Sequence, residues 1–334
     1  MGLTRKVHLA VISFALFFLF SFSLTASEKP SFEEQIGMAS QARDLILHRK
    51  YDEAEGVLKN IVEQWPDDLL GYFGLMALDQ IRNLENYDFR FDPDYKTWEE
   101  RGRSLALETA KDPGAQAWDM LKAGAVLGIS GFYRAHNGKW FAAMRDTSLG
   151  FHTVDKAYKK DKSLTEALLG VGLYDYWQSY FTRKLLFLPF FADRREQGKE
   201  ELRLARDESR FASILAEIAL LFIDFQEKKY DQVMASVDHL LEKYPENTIL
   251  RFLKGEIFLK ERRYEDVVAQ FEKILQIDPS IHKAYLYIGL ALAAENKDPE
   301  KAKAMLHKYL DLEPKASPDW RKPAVERLKT LEKE

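Results

Sequence analysis

No cysteine occurs anywhere in the sequence. Its absence excludes a disulfide framework, a thiolate metal site, a cysteine nucleophile and a lipidated N-terminal cysteine. It also suits an oxidising compartment, where a stray thiol is a liability. Glycine and proline are scarce too, 17 and 11 among 334 residues, too few for a linker-rich or disordered chain. The seven histidines show neither HExxH nor any other metal-ligand spacing, so no metal is expected. No GxSxG, GxGxxG or GxxxxGKS/T motif is found, which removes the common hydrolase and nucleotide-binding readings and leaves no cofactor to expect. Positive charge is not in excess either: 49 Lys and Arg against 53 Asp and Glu give a formal net charge of −4. A nucleic-acid partner would call for a basic stripe, and none is expected.

What is there begins with an apolar leader. Arg5 and Lys6 precede an apolar run from Leu9 to Phe22, and Thr25-Ala26-Ser27 supplies small residues for cleavage. This reads as a signal peptide over residues 1–27, hence an exported protein, with the periplasm as the expected compartment. The alternative is an uncleaved membrane anchor over residues 7–24, which approach the length of a spanning helix.

The remaining sequence is 46% hydrophobic and 31% charged over the whole chain, ample for a large core. Its clearest stretch is Thr248 to Ile281. Gly255 supplies a small residue in a first helix, Tyr264-Glu265-Asp266 opens a second, and Phe271, Ile274 and Asp278-Pro279 close the unit. Thirty-four residues on, Gly289 stands in step with Gly255; thirty-four back, Pro245 anticipates Pro279. Near the N-terminus, Ser31 and Glu34 form a capping box for a helix to about Arg49. Its partner opens at Tyr51 and ends at Trp65-Pro66, with Ala42 and Ala54 at the small positions.

The spacing predicts N-terminal hairpins over 28–112 with an inserted loop at 85–95 and helix resuming at Trp98. A divergent aromatic and glycine-rich part follows over 113–209, then regular repeats over 210–316 and a terminal helix over 317–334. Gly124, Gly128, Gly131, Gly170 and Gly172 fall inside the middle helices. Glycine costs a helix about 1 kcal/mol against alanine, so the clustering predicts close helix packing.

These units resemble the tetratricopeptide family over most of Glu33 to Leu312. The resemblance implies an all-α solenoid of about seven helix hairpins with a C-terminal capping helix. It implies a non-catalytic scaffold that binds a protein or peptide in a concave groove lined by the first helices. Carried over by position, the groove would include Leu215, Ile218, Phe222 and Phe225, then Ile249, Phe252, Glu256 and Leu259, then Lys283, Leu286 and Leu290. These are unusually apolar for an open groove, so a cover is expected, and the aromatic middle segment could provide it. Around Gly172-Leu173-Tyr174-Asp175-Tyr176, with Leu185 to Leu188 and Gly198, the chain is similar to the central segment of the tetratricopeptide-39 and outer-mitochondrial repeat proteins.

Two further features stand out. Arg134, His136 and Trp140, together with Tyr176, Trp177 and Tyr180, could line a pocket for a small apolar ligand such as a lipid or glycan; the bland alternatives are a helix turn at Asn137-Gly138 and an aromatic core stripe. The apolar segment 185–191, flanked by Arg183, Lys184, Arg194 and Arg195, must be buried, bound or in peripheral contact with a membrane. The leading expectation is an envelope scaffold, and the alternative is a carrier or receptor for that apolar ligand.

Overall fold

A computed structural model describes residues 29–86, 90–182, 192–313 and 318–333. The expected signal or anchor residues and the 185–191 segment lie outside the described residues. The described chain is all helix: α1 (Phe32–Leu47), α2 (Tyr51–Gln64), α3 (Leu69–Asn86), α4 (Asp92–Lys111), α5 (Ala117–His136), α6 (Trp140–Lys160), α7 (Ala167–Thr182), α8 (Arg195–Glu208), α9 (Ser213–Gln226), α10 (Tyr230–Lys243), α11 (Thr248–Lys260), α12 (Tyr264–Ile277), α13 (Lys283–Glu295), α14 (Pro299–Leu312) and α15 (Pro318–Leu331). Successive pairs form seven antiparallel hairpins, and α15 closes the array. None of these helices is long and apolar enough to cross a membrane.

Local chemistry explains the turns. Arg49, Lys228 and Arg262 take left-handed φ values of 61°, 63° and 60°, and Gly138 takes 71°. At each, two backbone N–H groups return to carbonyls of the last helical turn: Arg49 to Ile46 and Lys50 to Leu45, Lys228 to Phe225 and Lys229 to Asp224, Arg262 to Leu259 and Arg263 to Phe258, Gly138 to Ala135 and Lys139 to Arg134. This double closure satisfies carbonyls that a helix end leaves bare and reverses the chain in two or three residues. At the start of α1 the Ser31–Glu34 capping box forms, with Ser31 N–H donating to Glu34 Oε2 at 2.8 Å.

One boundary differs from the sequence expectation. The fourth helix begins at Asp92, six residues before Trp98, because Pro93 sits in its first turn, where a missing N–H costs nothing. Tyr95 then becomes a core residue, fully buried and stacked on Tyr133 at 4.1 Å. Glu85 and Asn86 belong to α3 and are buried.

Glycines set the spacing of the middle hairpins. A Cβ on Gly172 would lie 2.6 Å from the Gly198 carbonyl oxygen, and one on Gly198 would lie 2.6 Å from that of Gly172, so α7 and α8 touch backbone to backbone. In the same way Gly150 faces Gly124 and Gly128 across α5 and α6. In the regular repeats the contact is glycine against a side chain, Gly255 on Phe271 and Gly289 on Leu306.

The solenoid returns on itself. The first helix crosses the N-terminal ends of later first helices. Phe32 packs edge-on against Trp118 at 5.0 Å, and Trp118 Nε1 and Lys122 Nζ both donate to Gln35 Oε1 at 2.8 Å. Further along, Arg43 Nη1 donates to the Phe211 carbonyl at 2.6 Å, and Asn247 Nδ2 donates to the Leu47 carbonyl at 3.1 Å. At its end Arg49 holds Glu85 through Nε at 2.8 Å and Nη2 at 3.1 Å, and it pairs with Asp278 just ahead of α13.

Gly198→Ala is expected to lower stability by about 1–3 kcal/mol, since the new methyl meets a backbone oxygen that cannot yield. Gly37→Ala, which has nothing within 4 Å of its Cβ position, should stabilise α1 by up to about 1 kcal/mol. Urea unfolding of the two variants measures both signs.

Candidate binding surfaces

The inner stripe is built from residues spaced three and four apart, which fall on one face of each first helix. On α9, Leu215, Ile218, Phe222 and Phe225 are half-buried; on α11, Ile249, Phe252, Glu256 and Leu259 are half-buried. Adjacent helices are stitched along this stripe. The Phe252 ring meets Phe271 at 5.1 Å and Tyr287 at 5.9 Å, Tyr287 OH donates to Glu256 Oε1, and Lys260 lies over the Phe225 ring.

Lys283 and Leu286 depart from the groove expectation: both are buried, at 2% and 4% exposure. The cause is the terminal cap. Leu286 packs with Tyr309, Ala324, Leu328 and Leu331, and Lys283 Nζ donates to Glu313 Oε2 at 2.8 Å beside His282, whose Nε2 lies 2.7 Å from the same oxygen. Burial pushes the Glu313 carboxyl up, but His282 and Lys283 outweigh it and hold the group below the usual carboxylate range. The stripe thus ends at α11 and the neighbouring Tyr287.

Part of the expected cover comes from the N-terminus. Leu47, at the end of α1, is buried among Leu221, Leu250 and Leu253, and Ile218, Phe222 and Phe225 pack against that cluster. His48 adds an edge contact to Tyr244 at 4.9 Å.

The alternative pocket does not converge. Arg134 pairs with Glu99 and lies 3.3 Å from Asp146, a fully buried carboxylate also bonded by Arg103 at 3.1 Å and Arg145 at 3.0 Å. Burial pushes Asp146 up, but the arginines prevail and hold it below its ordinary value. Tyr176 is sealed, its hydroxyl 3.3 Å from Glu227 Oε1, and its pKa is pushed up to about 12, by burial first and by that carboxylate second. Trp177 and Tyr180 are half-buried in a ring cluster with it, with Gln226 Nε2 donating to the Tyr180 hydroxyl. The turn reading of Asn137-Gly138 matches the geometry, since Asn137 Nδ2 donates to the Tyr133 carbonyl at 3.0 Å. His136 instead faces a small cleft with Gln80, Asn83, Leu84, Phe132 and Tyr133, where Tyr133 OH donates to Asp92 Oδ2 at 2.7 Å. Burial lowers the His136 pKa and Asp92 opposes it.

Apart from Trp140, the exposed apolar side chains at this end of the middle hairpins were not among the expected site residues. Phe132, Phe141, Met144 and Phe181 are 48%, 92%, 68% and 74% exposed, and Trp140 is 65% exposed. Trp140, Phe141 and Met144 occupy the first five residues of α6, off the buried face marked by Ala143 and Asp146. Their phase against that face was the available signal. Among the described residues, no group of three or more His, Asp and Glu could hold a metal ion.

No family model matches the chain. No curated protein matches it either. Among solved structures it is similar to YrrB, described as a tetratricopeptide repeat protein with an unusual peptide-binding site, at 16% identity and a TM-score of 0.43 over 67% of this chain and 97% of that one. A tetratricopeptide repeat protein from Parabacteroides merdae gives 16% and 0.44 over 90% and 99%; the C-terminal part of one from Cytophaga hutchinsonii gives 17% and 0.42 over 87% and 99%. Values this low assign neither a partner nor a function. The class is read from the chain itself: the described helices pair into an all-α solenoid, and in its last repeats Gly255 and Gly289 each lie against a side chain of the following helix, as in the tetratricopeptide pattern.

Asp79, on α3 one turn before the cleft residue Asn83, is 3% exposed, and its Oδ2 has no hydrogen-bond partner among the described residues. Burial pushes its pKa up to about 7 against the pull of Arg82, which lies 3.7 Å away, while Asp94 and Glu55 push in the same direction as burial. A carboxyl raised in the folded state contributes stability that is whole below about pH 4 and is lost as the pH rises through 7. Asp79→Asn should therefore raise Tm by a few degrees near pH 8 and leave it unchanged near pH 4; calorimetry at the two pH values checks the sign.

Proposed function

We propose that the protein is an exported, non-catalytic scaffold of the cell envelope that binds a protein or peptide partner along the inner stripe of α9 and α11. The observation that carries this reading is the row of half-buried apolar side chains, Ile218, Phe222, Phe225, Phe252 and Leu259, left on successive first helices and bordered by the polar Glu256. Such a row offers apolar anchors, and polar groups beside it set the register of a bound helix or strand. Export is supported by the basic and apolar N-terminal run and the absence of cysteine; the periplasm is the compartment both suit, and an anchor over residues 7–24 would place the same scaffold on a membrane. The carrier reading has less support, because sealed Tyr176 and ion-paired Arg134 leave Trp177, Tyr180, His136 and Trp140 facing different surroundings.

A photoreactive phenylalanine analogue placed at Phe225 or Leu259 tests this in cells of the source organism. Irradiation is expected to give one discrete protein adduct from those positions and none from exposed Lys273 on α12. Equal adduct yields at all three positions, or none at any, would remove the stripe as a binding surface.

A further inference from the structure

The end of the α5–α6 hairpin is apolar where a soluble surface would be polar, and it is positively charged where the chain as a whole is negative. Helical Cα–Cβ bonds tilt toward the N-terminus, so side chains of a first turn project past the helix end. Trp140 and Phe141 are in that position on α6, and Met144 follows one turn on from Trp140, at 65%, 92% and 68% exposure. Gly131 packs on Ala143 and Thr147, which sets the register of α5 and brings Phe132 level with them. Phe151 stacks on Tyr174 at 4.0 Å, and the antiparallel register this fixes carries Phe181, at the end of α7, level with Met144. Five of the exposed large apolar side chains thus share one end of the middle hairpins.

On the α5–α6 hairpin itself the exposed charges have one sign, while Asp92 and Glu99 of α4 lie against its Tyr133 and Arg134. Between Ser130 and Ser148 the acidic complement is Asp146 alone, fully buried and held by Arg103, Arg134 and Arg145. The exposed charged side chains of the stretch are Lys139 and Arg145. Against a net charge of −4 for the chain, this is a local reversal.

We propose that this end is a docking surface for an anionic lipid bilayer, with Trp140, Phe141 and Met144 entering the interface and Lys139 and Arg145 meeting the headgroups. The residue types match that occupant: tryptophan and phenylalanine settle at the boundary between acyl chains and headgroups, and cations flanking them are drawn to anionic lipid. A protein partner would be expected to offer the tip a pocket and to disfavour lysine at its core. The surface is distinct from the inner stripe, so the two assignments stand or fall separately.

The cysteine-free sequence permits a site-specific test on the full chain. Met144→Cys carries an environment-sensitive thiol dye at the tip, and Ser163→Cys carries it beyond the far end of α6, about 30 Å away. The probes are phosphatidylcholine vesicles with and without phosphatidylglycerol, each with nitroxide-bearing acyl chains. The dye at 144 is expected to shift to the blue and be quenched on the anionic vesicles, and the dye at 163 is not. The comparison holds even where the N-terminal apolar run tethers the chain, because a tether alone does not seat the tip. Lys139→Glu should weaken the quenching by about fivefold or more. Trp140→Ser with Phe141→Ser should abolish it without unfolding, since both side chains are exposed. Quenching equal at both sites, absent at 144, or indifferent to the double substitution would overturn the proposal. So would shielding of the dye at 144 that rises with protein concentration without vesicles, which would assign the tip to a second copy of the chain.

Discussion

The architecture depends on a ring-closing ion pair. Arg49 belongs to the first interhelical turn, yet its guanidinium is shared between Glu85 on α3 and Asp278 ahead of α13. Glu85 in turn accepts from Tyr51 OH at 3.1 Å and from Thr248 Oγ1, so three separate segments of chain meet at this carboxylate and Arg49 ties in a fourth at Asp278. Burial opposes the charge on Arg49, but Glu85 and Asp278 prevail and hold its pKa above the ordinary arginine value. The same guanidinium helps keep Asp278 below the usual carboxylate range, against the upward push of burial. Removing one partner of such a pair leaves a poorly solvated charge and costs about 3–5 kcal/mol where burial is complete. A solenoid otherwise held by nearest-neighbour contacts acquires here a bond between its beginning and its end.

That closure shapes what the inner side can do. The end of α1 supplies Leu47 to the cluster under Phe222 and Phe225, and the first helix as a whole crosses the ends of α5, α9 and α11. A partner on the stripe would meet a surface that the chain itself has narrowed. The middle hairpins face a different demand: backbone contact at Gly172–Gly198 and Gly124–Gly150 leaves little room for side chains between the helices. Their large apolar residues at the hairpin end consequently turn outward.

Much of the fold was legible because the turns are written locally. Tyr51 and Tyr264 each open a second helix where expected, and Gly255 and Gly289 lie against Phe271 and Leu306, as a small residue at that position requires. The start of α4 was misjudged for a local reason: Pro93 signals a break in most contexts, but at a first helical turn it signals a beginning. The accessibility expected of the groove residues held as far as α11, where all eight are half-buried. It failed at Lys283 and Leu286, because their burial depends on Glu313 and α15, neighbours that only the folded array brings close. The Arg49 bridge was invisible for the same reason, its partner lying 229 residues away. Of the exposed tip only Trp140 was expected to meet a ligand; Phe141 and Met144 carry their signal in their phase against buried Ala143 and Asp146.

The most direct test of ring closure is a double-mutant cycle on Arg49→Met and Asp278→Asn, read by chemical unfolding of the full chain. Closure predicts that the two changes are non-additive by about 1–2 kcal/mol, as for side chains in direct contact. Additivity to within about 0.3 kcal/mol would contradict it and leave an open solenoid whose ends do not meet.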